Sequence, residues 1–321
     1  MTKLRLLNLA IATGVVAFIV LRAHPHELWS ALSETNYRLA LLAIVPNLPI
    51  CLLASLRSSL LFRRLGHRVP AGVLVPATVL GFVAGGLTPA SAGELLRAKA
   101  LRSSANVDVD QSIAVVVYER VLALYLLALT TALIAALSTL PLAWSPLLLA
   151  VALGLVLLPW LVALKVGSFA SLAERMTGAG MLPRVARNAF AMAEKLRVLL
   201  REPFLLLQWS SLTIAMFALI ALQYWLLARA IAGGIEFSEA WLALGVSTIA
   251  AVLTLLPFGL GVLDGSLAAM LVRGGLTLEQ ASLAAIAVRA TVTLPLVLAA
   301  FACYLYLQRT APSEQTVATP E

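Results

Sequence analysis

The sequence predicts an all-α polytopic membrane protein, with about six transmembrane helices and two re-entrant helical hairpins arranged as an inverted repeat. Three observations carry that expectation. Of 321 residues, 61% are apolar and only 12% are charged, about half the charged share that a water-facing surface of this size carries. Six apolar runs are long enough to cross a bilayer, which takes about 18 or more residues. Two shorter runs, broken by Pro and Gly, fall at corresponding places in the two halves of the chain.

The elements follow in order. Lys3 and Arg5 precede the apolar run Leu6–Arg22. The run resembles a signal peptide, but no A-x-A site follows it and His24-Pro25-His26 is a poor cleavage context, so an uncleaved first helix is expected. Tyr37–Leu56 is the second span. Val73–Leu87 reaches only about 22 Å against a hydrocarbon core of about 30 Å. It ends in Gly85, Gly86 and Pro89, and a second short stretch, Ala92–Ser103, follows. That pattern suits a hairpin that enters and leaves on one side, its broken tip shielded by protein. Ser112–Leu137 and Leu147–Leu164 are further spans.

Pro183–Leu200 has apolar residues at 4,3,4,3 spacing among Arg184, Arg187, Lys195 and Arg201. It reads either as an interfacial amphipathic helix or as a helix packed on the protein's own loops. Phe204–Leu227 spans again. Leu242–Pro257, about 24 Å long, forms the second hairpin with Val262–Val272, its tip marked by Pro257, Gly259 and Gly261. Ala281–Leu307 is the last span, and the polar tail 310–321 has no periodicity and is expected to be disordered. The whole reads as one membrane domain over 1–309, with repeat one at about 37–137, a cytoplasmic linker at 165–203 and repeat two at about 206–307.

Charge placement supports the hairpins. With 23 Lys and Arg against 15 Asp and Glu, the net charge is +8. If both hairpins are re-entrant and the N-terminus is cytoplasmic, seventeen of the basic residues face the cytoplasm and four face outside, which is the bias that membrane insertion follows. That count places Arg57, Arg63, Arg64, Lys99 and Arg102 at the cytoplasmic surface. Both termini are then inside, and a bacterial or archaeal cytoplasmic (inner) membrane is the expected location. No basic stripe with interleaved aromatics suggests nucleic acid. Cys51 and Cys303 lie in apolar runs and, with three His, assemble no metal site. No cofactor is expected, and no Walker loop for direct ATP drive is present.

The repeat has a consistent shift. Asp110-Gln111-Ser112 recurs as Glu279-Gln280-Ala281, and Arg120 maps onto Arg289, both 169 residues on; Pro89 maps near Pro257 and Glu94 near Asp264. Each unit therefore reads as a hairpin with Gly and Pro at its tip, an acid on the return arm, a loop, and a span carrying an arginine. Secondary transporters use inverted units with broken helices to open alternately to either side.

Deep charges need partners or a polar cavity, because insertion of one costs at least about 2.5–3.5 kcal/mol. Arg120 and Arg289 each lie about 12 Å along their spans, within reach of the acid of their own hairpin. The expected pairs are Glu94 with Arg120 and Asp264 with Arg289. Glu119, about 100° round the helix from Arg120, could meet Arg97 or accept a proton. Two readings stay open: structural salt bridges that fix hairpins to spans, or arginines that exchange a carboxylate for a substrate phosphate, to which the guanidinium fork is suited.

The run Thr88-Pro89-Ala90-Ser91-Ala92-Gly93-Glu94-Leu95-Leu96-Arg97, then Glu119-Arg120, and later Pro257-Phe258-Gly259-Leu260-Gly261-Val262-Leu263-Asp264 with Arg289, resembles the flippase-like membrane domain. That domain is known from the transmembrane part of lysylphosphatidylglycerol synthases and from many stand-alone proteins. The resemblance runs from about Tyr37 to Leu307. It implies a lipid flippase or lipid-handling protein, with Glu94, Arg97, Glu119, Arg120 and Arg289 on the family's motif positions. Two departures stand out: Ala123 replaces an acid usual three residues after Glu-Arg, and Asp264 stands where Glu is common. No soluble aminoacyl-transferase domain is expected after Leu307, so lysyl transfer is not implied.

The expectation is therefore a non-enzymatic protein that moves or binds a membrane lipid with an anionic head group, bound at Arg120, Arg289, Glu119, Glu94, Arg97 and Asp264. Gly93 joins Pro89, Pro257, Gly259 and Gly261 at the hairpin tips. The alternatives are a small-solute or ion transporter and a non-catalytic partner in an envelope-lipid pathway. A lipid-head-group enzyme lacks a nucleophile or metal set beside the arginines.

Overall fold

The computed structural model describes residues 33–88, 93–139, 154, 202–254 and 256–310. The first span Leu6–Arg22, the span Leu147–Leu164, the stretch Pro183–Leu200, the tip residue Pro89 and the tail after Thr310 lie outside these residues. Among the described residues the fold is helical throughout, without strands.

Helix α1 (Tyr37–Leu42) is capped by Asn36, whose side chain accepts the Leu39 N–H at 3.4 Å. It turns through Pro46 into α2 (Asn47–Arg64), whose last turn holds Arg63 and Arg64, where cations complement the helix dipole. Helix α3 (Ala71–Leu87) and α4 (Leu95–Ala105) form the first hairpin, and α5 (Val109–Thr139) follows. After the undescribed segment come α6 (Pro203–Ala232), with Pro in its first turn and Gly233 ending it at φ +80°, and α7 (Phe237–Thr254). A 3-10 turn at Pro257–Gly259 joins α7 to α8 (Val262–Arg273). Helix α9 (Leu278–Val288) then runs through a π turn (Arg289–Thr293) into α10 (Leu294–Thr310).

Among the described residues five stretches are long and apolar enough to cross a membrane: Tyr37–Arg64, Val109–Ser138, Pro203–Ala232, Phe237–Thr254 and Leu278–Arg309. Four contain the spans expected from the sequence. The fifth is the long arm of the second hairpin, at 18 residues and about 27 Å. It begins five residues before the expected Leu242, because Ser238 and Glu239 do not end the helix; they occupy its first turn, where acidic side chains are favoured. The return arms are different. Helices α4 and α8, with 11 and 12 residues, reach only about 17–18 Å and stop well short of crossing.

The two halves clasp each other. Helix α2 packs on α6. The long arm α3 packs on α10, burying Val79 and Val83 against Leu296 and Ala300. The long arm α7 packs on α5 so closely that a Cβ at Gly245 would stand 1.9 Å from the Thr131 hydroxyl oxygen. Each hairpin thus leans on the span of the other unit. A larger apolar core, including Phe62, Leu101, Leu127 and Trp209, joins α2, α4, α5 and α6.

Candidate functional site

Helices α4 and α5 are joined by only three residues, Asn106–Asp108, with Asn106 closing α4 in the left-handed region. Such a turn makes them antiparallel neighbours. Glu94 at the N-cap of α4 and Arg120 within α5 each lie 11 residues from this turn, about 16 Å away, so the spacing sets them at one depth. Arg120 Nε donates to Glu94 Oε1 at 2.5 Å, and Nη2 donates to the same oxygen. One step down the ladder, Arg97 Nη1 donates to Glu119 Oε2 at 2.7 Å. The Glu-x-x-Arg of one helix therefore meets the Glu-Arg of the next crosswise, as antiparallel strands of a ladder must.

Glycines make the approach possible. A Cβ at Gly85 would stand 2.8 Å from Glu94 Cγ, one at Gly81 2.7 Å from Arg97 Cβ, and one at Gly93 2.0 Å from the Ala84 carbonyl oxygen. Thr88 closes the bend by donating to the Ala84 carbonyl at 2.9 Å and accepting the Gly93 N–H at 2.5 Å.

The two pairs differ in access. Glu94 is buried, while the Arg120 side chain, lying over the Phe82 ring, is 44% exposed. Arg97 and Glu119 are both buried. The Ser58 hydroxyl donates to Glu119 Oε1.

Arg57 also belongs here. The sequence placed it among cytoplasmic surface charges, but its side chain is buried, donating from Nη1 to Thr213 Oγ1 at 3.3 Å and lying 5.1 Å from the Trp209 ring centre. Seven residues of α2 follow it, so it sits about 10 Å inside the helix end. Arg97 is buried over Phe62 as well.

The second hairpin carries one ion pair. Asp264, the third residue of α8, accepts the Gly261 N–H on Oδ2 at 3.1 Å. Arg289, 11 residues into the last span, donates from Nε to Oδ1 at 2.8 Å and from Nη2 to Oδ2 at 3.0 Å. Nη2 also donates to the Phe258 carbonyl at 3.1 Å. Phe258 sits at φ +51° in the hairpin tip, beside Gly259 at φ +60°. Its ring lies where a Cβ on Gly86 would come within 2.6 Å.

Among the described residues no bond joins Arg120 to Arg289 directly. The path between them runs from Arg289 through Phe258 to Gly86, whose neighbour Gly85 faces Glu94 and Arg120. A neutral network braces the same region. Pro295, lacking an N–H, cannot bond back to the carbonyl of Thr291, and Asn47 Nδ2 donates to that oxygen at 2.8 Å. Gln223 Nε2 in turn donates to Asn47 Oδ1 at 3.0 Å and to the Ala43 carbonyl at 2.8 Å.

Glu94, Arg97, Glu119, Arg120, Asp264, Arg289 and the tip residues Gly93, Pro257, Gly259 and Gly261 are thus placed on the two hairpins and the spans after them. Sequence reasoning missed Arg57, Ser58, Thr213, Phe258, Asn47 and Gln223. Arg57 stands just past the expected span end at Leu56 and among boundary charges, and the others are single residues whose partners lie on distant helices.

None of the curated proteins matches this chain. A family model described as the lysylphosphatidylglycerol synthase TM region matches residues 5–300, across both hairpins and every helix of the site. The apolar spans and this match make it a multi-pass membrane protein of a lipid-related family: the chain belongs to the lysylphosphatidylglycerol synthase transmembrane-region family.

Proposed function

We propose that the protein is a flippase or transporter that moves a lipid with an anionic, phosphate-bearing head group across the cytoplasmic (inner) membrane, with both termini on the cytoplasmic side. The observation that carries this reading is the unequal burial of one ion pair: Glu94 is buried, but the Arg120 side chain is 44% exposed. An accessible arginine deep in a span is costly unless it meets polar matter, and a lipid phosphate is the polar group a bilayer supplies.

In this mechanism the phosphate takes over donors that Glu94 and Asp264 hold in the resting pairs, first at Arg120 and then at Arg289. The acyl chains stay in the bilayer between spans. The short return arms leave depth on opposite sides, and the reciprocal packing of the two units supports an inverted arrangement that opens one side at a time. No covalent step is part of the proposal, so the protein is read as a transporter and not an enzyme.

The test is reconstitution into vesicles carrying a fluorescent anionic lipid. Arg120→Ala and Arg289→Ala are each expected to slow its movement at least about tenfold, the loss that follows when about 1.4 kcal/mol of differential binding is removed. Variants that fold normally and move lipid at the parental rate would overturn the mechanism.

A further inference from the structure

The arginines of this site use their hydrogen-bonding edges differently. Guanidinium presents Nε–H and Nη2–H side by side, the fork that matches two oxygens of a carboxylate or phosphate. Arg120 directs that fork at Glu94, and Arg289 directs it at Asp264. Arg97 does not. Glu119 engages only its Nη1, and among the described residues both Nε and Nη2 are buried without a hydrogen-bond partner. The Arg97 side chain is 4% exposed, so bulk water does not serve them either.

Charge points the same way. Arg57 lies within electrostatic reach of Arg97, Arg120, Glu94 and Glu119, and these three cations face two carboxylates. One positive charge is left over in a buried setting. Glu119 is already engaged by Arg97 and Ser58, and Arg57 Nε is likewise buried and unpartnered. The faces of Phe62 and Trp209 support the two guanidinium planes, but an aromatic face contributes nothing to donors that point outward in the plane. The second unit is the internal contrast: there one arginine meets one carboxylate, and its fork is filled.

We infer that Arg97, backed by the charge of Arg57, is a binding site for one oxyanion, taken bidentately on its Nε–H and Nη2–H edge. The chemistry fits a phosphate group, whether free or in a lipid head group. This site is separate from the accessible Arg120 pair, and the inference holds whether or not the protein moves lipid.

Thermal melts of the full chain in neutral detergent test it, because a ligand bound only by the folded state raises Tm. Sodium phosphate is titrated against sodium chloride of equal ionic strength, whose single spherical anion lacks the paired oxygens that the Nε–H and Nη2–H edge takes. A parallel series adds phosphatidylglycerol or a phosphate-free glycolipid to the micelles. The parent is expected to gain roughly 2–5 °C. A gain with phosphate alone identifies a free anion, and a gain with phosphatidylglycerol alone identifies a head group; either supports the site. Arg97→Lys keeps the charge but loses the fork, and is expected to lose the response. Glu119→Gln removes the competing negative charge and is expected to lower the half-saturating concentration at least about tenfold. The inference is overturned if neither phosphate nor phosphatidylglycerol moves the parental Tm, if Arg97→Lys responds as the parent does, or if folded Glu119→Gln binds no more tightly. Failure of lipid movement in vesicles leaves these melts unaffected, so the two readings fail separately.

Discussion

Phe258 lays its ring against Gly86, joining the tip of the second hairpin to the end of the first hairpin's long arm. The contact exists because residue 86 has no side chain. Gly86→Ala places a methyl about 2.6 Å from the ring and is expected to cost about 1–3 kcal/mol, as overpacking does. Adding Phe258→Ala removes the clash. The double variant should therefore melt closer to Phe258→Ala alone than the sum of the single effects allows. Strict additivity in a double-mutant cycle would show that the tips do not touch.

The ion pairs divide by burial. Asp264→Asn leaves Arg289 without its counter-charge in a mostly buried place, and should cost about 3–5 kcal/mol. Arg64 and Glu202 also pair, but with side chains 45% and 43% exposed; Glu202→Gln should change stability by no more than about 1 kcal/mol. Equal losses in denaturation of the two variants would contradict this ranking.

Asn47 answers for a donor that Pro295 removed. Asn47→Leu leaves the Thr291 carbonyl unpaired and should cost about 1–3 kcal/mol. Pro295→Ala restores a backbone N–H to the helix, so Asn47→Leu should cost less in that background. A cost unchanged by Pro295→Ala in thermal melts would place the role of Asn47 elsewhere.

Topology has a direct check. Ser103 lies exposed near the end of α4, and a re-entrant first hairpin returns it to the cytoplasm. A cysteine substituted there should react with a membrane-impermeant maleimide in inverted vesicles and be protected in intact cells. Labelling from outside would overturn the orientation.

What was legible in the sequence was whatever interrupted an apolar background. Pro257, Gly259 and Gly261 mark a bend by chemistry that no helix interior favours, and the turn is where they stand. The Glu94–Arg120 and Asp264–Arg289 pairs were legible because a short turn and a fixed rise per residue put the members of each pair at one depth. Arg57 was not, since its neighbours Arg63, Arg64 and Arg68 are boundary charges and burial has no signature in a single residue. Contacts between units were also out of reach. Asn47 and Thr291 are 244 residues apart, and neither periodicity nor composition records which faces of two apolar helices meet.

The π turn at Arg289–Thr293 is a phase shifter. It holds one residue more per turn than the helix on either side, so the face that carries Arg289 toward Asp264 and the face that carries Leu296 and Ala300 toward α3 are set by different counts. Were the same residues wound uniformly as α-helix, everything after the turn would swing by about 100°. The charge would keep its acid and the seam with α3 would face the wrong way, so the wide turn is what lets one span serve both contacts.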